Sequence, residues 1–248
     1  MAALGALTAS LLAACSPAPA DDGDAGGTDT VTVLAAASLN DPFTALARRY
    51  ERDHPGVTVR LSFGSSTKLA QQVAEGAPAD LVALAGTAVL AQLPEEARDP
   101  GRRTLVARNT LEIATPPDDP AGVTGLADLA RPDVDVVLCV ATTPCGAAAD
   151  DVLSRAGVAA NVVSREVDVR STLAKIGLGE ADAAIVYHSD VVTARGRVRG
   201  VEIPPDENTT LDYPLVRLTD GDHATGFAAL VSSPDGRRLL TDAGFLVP

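Results

Sequence analysis

Four turns in the sequence share one design: an apolar strand pattern, a short loop and the start of a helical pattern. They fall at Ser38, at Ser65-Ser66, at Pro144-Cys145-Gly146 and at Asp168-Val169. A helix start carries unpaired N–H groups and a partial positive charge, so it offers a place for an anion. One such turn means little, because Ser and Asp are simply good N-cap residues. Four in one chain, with a further strand ending on the phenol of Tyr187, describe a site of neutral hydrogen-bond donors that needs no Lys or Arg. A donor-only cage suits a tetrahedral oxyanion that carries no proton. Phosphate near neutral pH keeps a proton and calls for an acceptor carboxylate as well.

Pointing these turns at one cleft requires a particular frame. Apolar runs at 31–36, 57–63 and 79–84 read as strands. Between them, Phe43, Leu46, Ala47 and Tyr50, and then Leu69 and Val73, follow helical spacing. Asn40 or Asp41 is placed to cap the first helix, with Pro42 at its first position. The β-α-β-α-β alternation means a parallel sheet with covering helices. A second run has strands at 134–140, 161–167 and 183–187, with helices opening at Pro144 and Asp168 and a short helix at 124–129 capped by Thr124. A strand at 110–114 ends before Pro116-Pro117, where the chain crosses between lobes. It returns through 198–203 and 213–218 and closes with two helices. The expected fold class is α/β in two lobes, 31–107 with 191–248 and 108–190, each a mostly parallel sheet flanked by helices. In such sheets ligands sit outside the carboxyl ends of the strands, so two facing sheets would aim the helix starts into one inter-lobe cleft.

Composition narrows the partners. Of 248 residues, 46% are hydrophobic, enough for a sizeable core, but only 3% are aromatic and Trp is absent. With a formal net charge of -13, nucleic acid and anionic lipid surfaces are poor partners. A small anion is not excluded, because nearby donors outweigh a distant, screened field. His54, His188 and His223 lack ligand spacing, so no metal site is expected.

The amino terminus is apolar over 1–15 and too short for a permanent span. It ends in Leu12-Ala13-Ala14-Cys15, which resembles a bacterial lipobox. That resemblance implies cleavage before Cys15 and a lipid on its sulfur, although no Lys or Arg precedes the apolar stretch. Residues 16–30, mostly Pro, Ala, Gly and Asp, read as a flexible tether.

Beyond these turns, five stretches carry a family resemblance: Ala35-Ala36-Ala37-Ser38-Leu39, Phe63-Gly64-Ser65-Ser66-Thr67-Lys68-Leu69-Ala70-Gln71-Gln72-Val73, Gly76-Ala77-Pro78-Ala79-Asp80-Leu81, Val167-Asp168-Val169-Arg170 and Ile185-Val186-Tyr187-His188-Ser189-Asp190. In their order and spacing the chain resembles, from Val31 onward, the periplasmic molybdate-binding proteins, the solute-binding subunits of molybdate ABC importers. The resemblance implies a type II periplasmic-binding fold with molybdate, or tungstate, in the cleft and no cofactor. It maps the oxyanion contacts onto Ser38 and Ser66 by side chain and backbone, Cys145 and Val169 by backbone N–H, and Tyr187 by hydroxyl. The partners it implies are the permease of the importer and, through Cys15, the outer face of the cell membrane, with the protein a monomer. Cys145 stands where the family often has Ala, a change a backbone donor tolerates. The family's acidic, Trp-containing stretch after the third strand is replaced by Ala85-Gly86-Thr87-Ala88-Val89. An exported, oxidising setting favours pairing of Cys139 with Cys145; the alternative is a buried thiol at Cys139 and a free Cys145.

Two other readings compete. The same fold serves sulfate, thiosulfate and other oxyanions. An acyl-enzyme reading starts from Ser65-Ser66-Thr67-Lys68, which matches S-x-x-K, but Lys175-Ile176-Gly177 and Ser189-Asp190-Val191 are defective partners in the wrong order. Nor do Ser38, His188 and Asp190 make a credible triad without a G-x-S-x-G elbow. The chain reads as a binding protein, not an enzyme.

Overall fold

A computed structural model describes residues 29–248; the expected signal peptide, the lipidation expected at Cys15 and nearly all of the expected tether lie outside them. β1 (Asp29–Ala36), β2 (Val57–Gly64) and β3 (Leu81–Ala83) form a parallel trio in the order β2-β1-β3. Alternate side chains of β1 serve opposite faces, as the two-residue period of a strand requires. Val33 and Ala35 join the larger core with α1 (Asn40–Asp53), while Leu34 packs with Leu69 and Val73 of α2 (Ser66–Ala74). Phe43, Leu46, Ala47 and Tyr50 are the buried stripe of α1, at the expected spacing.

A second parallel trio, in the order β7-β5-β6, comprises β5 (Val136–Cys139), β6 (Val162–Glu166) and β7 (Ala183–Tyr187). Its helices are α3 (Pro144–Arg155) and α4 (Val169–Gly177). The chain then continues through α5 (His188–Thr193), β8 (Arg199–Glu202), β9 (Thr210–Arg217), α6 (Asp222–Ser232) and α7 (Pro234–Asp242).

The two trios are joined by β9 and by β4 (Arg103–Thr115), giving the order β2-β1-β3-β9-β4-β7-β5-β6. β4 is one strand of 13 residues rather than a short strand at 110–114. Its first part, up to Thr110, pairs with β9; from Leu111 onward it pairs with β7 and β8. β9 is antiparallel to both β3 and β4, and β7 is antiparallel to β4. β3 and β4 therefore run the same way and β7 runs against them. Tyr187, the last residue of β7, pairs with Leu111, where β4 changes partners. The carboxyl ends of the two trios thus meet head to head beside the middle of β4. β8 pairs with the second part of β4, so the chain regains the first sheet only with β9.

Two helix starts differ from expectation. Neither Asn40 nor Asp41 caps α1: a 3-10 turn, Ala37–Leu39, runs straight into it and leaves Pro42 at its third position. The helix expected at 124–129 is a 3-10 turn, Leu126–Ala130, with Gly125 at its N-cap; Thr124 instead donates through N–H and Oγ1 to Asp128, each at 2.8 Å.

Candidate functional site

Where the carboxyl ends meet lies a cavity of about 20 Å3. The loop or strand end after each of the six parallel strands contributes to it: Ala37-Ser38 after β1, Ser65-Ser66 after β2, Ala85 after β3, Thr143 to Cys145 after β5, Asp168-Val169 after β6, and Tyr187 closing β7. All five residues expected to hold an oxyanion line this one space. They are 2 to 5% exposed. No Lys or Arg lines it. The small size of this space and a lining without Lys or Arg suit a small inorganic anion.

Each helix start is set by local sequence. Ser65 caps α2, its Oγ accepting from Lys68 N at 3.4 Å, which makes Ser66 the first helical residue. Thr143 caps α3 by accepting from Gly146 N, with Pro144 at the first position, where its missing N–H costs nothing. Asp168 caps α4, its Oδ1 accepting from Ser171 N at 2.9 Å, so this carboxylate is engaged by its own helix. Ser66, Cys145 and Val169 therefore sit in first turns, where backbone N–H groups have no intrahelical acceptor. The Cys139–Cys145 disulfide, with Cα atoms 5.9 Å apart, ties the α3 start to the end of β5.

The hydroxyls are arranged to give protons. Ser66 Oγ accepts from Ala85 N at 2.8 Å, which leaves its hydrogen for the cavity. Tyr187 Oη is buried and, among the described residues, has no hydrogen-bond partner. Burial pushes its pKa well above the ordinary phenol value, so the group stays protonated. Ser38 Oγ lies 3.0 Å from Tyr213 Oη. Behind Tyr187, Asp190 Oδ2 accepts from Tyr187 N at 3.2 Å while Oδ1 has no hydrogen-bond partner among the described residues. Burial raises this carboxyl from 3.8 to about 7, only partly offset by the Tyr187 N–H.

Hydrogen bonds bridge the trios around the cavity: Thr67 Oγ1 donates to Thr142 O at 2.8 Å, and Arg170 donates from Nη2 to Asp41 Oδ1 at 2.6 Å and from Nε to Ala37 O at 3.4 Å. A wider open cleft of about 630 Å3, with Thr67, Thr87, Thr142 and Asp212 on its walls, adjoins the small cavity at Thr143 and Pro144. The acyl-enzyme set is not assembled. Lys68 is exposed, Lys175 pairs with Glu180, and Ser189 is buried against Asn109. His188 is likewise committed to Glu112, at 2.6 Å.

Residues 31–246 match the sequence profile of the bacterial extracellular solute-binding proteins. The chain belongs to that family. This solute-binding protein is 35% identical over 243 residues to the molybdate-binding protein ModA of Mycobacterium tuberculosis, covering 96% of this chain and 93% of the relative. Its fold matches the periplasmic molybdate-binding protein of Azotobacter vinelandii with a TM-score of 0.76 at 19% identity, over 88% of this chain and 99% of that one. It also matches the sulfate-binding protein SubI of M. tuberculosis, with a TM-score of 0.74 at 20% identity, over 88% of this chain and 86% of that one. The frame is thus shared by binders of different oxyanions, and the lining of the cavity must decide among them.

Behind the five expected residues, the cavity is backed by others that no motif marked. Ala85 supplies the N–H that orients Ser66, while Asn109 and Tyr213 stand behind Ser38 on β4 and β9. Their strands were legible, but their register against the site was not.

Proposed function

We propose that this protein captures molybdate, and with it tungstate of nearly equal size and charge, and delivers it to the permease of an ABC importer. The observation that carries the reading is a lining rich in hydrogen-bond donors, with no Lys or Arg and with its one carboxylate, Asp168, accepting from its own helix. Ser38 and Ser66 act by hydroxyl and N–H, Cys145 and Val169 by N–H, and Tyr187 by a hydroxyl with no protein partner. An anion able to accept from every side and donate to none satisfies these groups together. The Mycobacterium tuberculosis ModA relative supports the choice of ion. The lobes are those expected, 31–107 with 191–248 and 108–190, with β8 lying against the second part of β4, and they close on the ion as hinged folds do. The protein works as a monomer outside the cell, held to the membrane by lipid on Cys15 and spaced from it by 16–30.

Sulfate is the second reading, favoured only by the shared fold with SubI. It carries the same charge but is smaller, so it would stretch hydrogen bonds in a cage built for molybdate. Calorimetric titration of the purified protein with molybdate, tungstate, sulfate and phosphate decides the matter. Molybdate and tungstate are expected to bind at least a hundredfold more tightly than sulfate, about 2.7 kcal/mol. Equal affinity for sulfate and molybdate would refute the assignment.

A further inference from the structure

We infer that Asn109 and Tyr213 are positioning residues that fix the Ser38 hydroxyl as a donor toward the cavity, through a hydrogen-bond relay with only one direction. This rests on the oxyanion reading of the site and adds the device that gives one of its serines its polarity.

The direction follows from groups that have no choice. Asn109 Oδ1 faces two backbone N–H groups, Thr110 N at 3.1 Å and Ser189 N at 3.4 Å, which can only donate. Its amide orientation is thereby set, and Nδ2 faces Ser189 Oγ at 2.7 Å and Tyr213 Oη at 3.5 Å. An amide NH2 has no lone pair to offer, so Tyr213 Oη accepts from it. A phenol has one hydrogen; the Tyr187 hydroxyl is also near but makes no hydrogen bond among the described residues, so the acceptor within hydrogen-bond reach is Ser38 Oγ at 3.0 Å. Tyr213 is fully buried, and desolvation raises its pKa well above the ordinary phenol value, so that hydrogen is retained. Ser38 Oγ therefore accepts from behind, and its own hydrogen is left for the cavity it lines.

The relay sits where the two sheets exchange strands. Asn109 lies two residues before Leu111, where β4 takes up β7, and Tyr213 on β9 pairs with Ala107 of β4. The Tyr213 ring is held edge-on by Phe245 and Tyr187, with centroids 5.2 and 6.0 Å away, so its hydroxyl cannot swing to another acceptor.

The test is a double-mutant comparison read by calorimetry with sodium molybdate. Tyr213→Phe keeps the ring packing and removes only the relay. It is expected to weaken molybdate binding about tenfold in the otherwise unchanged protein, in line with a hydrogen bond acting on a charged ligand. The same change is expected to cost less than about twofold in a Ser38→Ala background, where no hydroxyl remains to orient, and again about tenfold in a Ser66→Ala background. Equal losses in all three backgrounds, or none in the unchanged protein, overturn the relay. Should Tyr213→Phe not fold, Asn109→Ala removes the donor behind Tyr213, with a loss of about threefold expected and the same dependence on Ser38. If the unchanged protein takes sulfate in place of molybdate, the molybdate reading falls and the same ratios, read with sulfate, still judge the relay. If it takes neither ion, both fall.

Discussion

Tyr187 brings into the core a hydroxyl that makes no hydrogen bond among the described residues. A buried, unpaired donor costs about 1–3 kcal/mol, so without ligand this residue is a burden on the fold. Tyr187→Phe is accordingly expected to raise the melting temperature of the ligand-free protein by about 2–4 °C and to weaken molybdate binding tenfold or more. A variant that melts lower and binds unchanged would remove Tyr187 from the site. Asp190 next to it carries a pH signature. Its folded-state pKa, raised from 3.8 to about 7, means that between these values the folded protein holds a proton the unfolded chain has lost. Stability from this group is thus full at low pH, falls as pH rises through that window, and is flat above it, a swing on the order of 4 kcal/mol at most. Asp190→Asn should therefore gain stability over the parent near pH 8 and lose that advantage near pH 4. Denaturant titrations at the two pH values check it, and a constant difference would contradict the raised pKa.

At the scale of elements, the start of α3 is pinned by packing. A Cβ on Gly146 would come 2.1 Å from the Val140 carbonyl oxygen. Gly146→Ala must therefore push the first turn of α3 off the end of β5, carrying the Cys145 N–H with it. The expected cost is about 1–3 kcal/mol of stability together with at least a tenfold loss of affinity, read by chemical denaturation and calorimetry; full affinity in a folded variant would separate Cys145 from the ion. α4 carries a different device. Arg170 reaches from its first turn to Asp41, with a longer contact from Nε to the Ala37 carbonyl at 3.4 Å. Both side chains of the ion pair are about a third exposed, 34 and 39%, so the pair is worth no more than about 1 kcal/mol. Arg170→Met should show in the release rate, faster by about two- to fivefold in stopped-flow, with capture little changed. A slowed capture at constant release would assign Arg170 to steering instead.

For the whole molecule, a formal net charge of -13 sits against the capture of a dianion. Repulsion over the outer surface should slow the encounter, while the buried donors act at contact range and escape screening. The association rate for molybdate is therefore expected to rise with ionic strength, the reverse of the usual behaviour of a basic anion-binding site. A rate that falls steeply with salt would mean that surface cations guide the ion.

The sequence by itself determined the order of the main elements, the four strand-to-helix turns, three of them capped by a side chain, and the five residues that line the cavity. These are local matters: alternation and helical spacing declare which faces are buried, and Ser65, Thr143-Pro144 and Asp168 fix helix starts through bonds to their own neighbours. The sequence did not reveal that β4 is a single 13-residue strand shared by both sheets, because Arg103 and Thr104 carry too little apolar pattern to mark its start. Nor did it show that the turn at Ser38 is a 3-10 segment running into α1 without a side-chain cap. Only the tertiary structure decided which way each hydroxyl points. Ala85 meets Ser66 and Tyr213 meets Ser38 across 19 and 175 positions of sequence. Hydrogen-bond direction depends on which groups the fold brings within reach, and the chain order of those groups carries no trace of it.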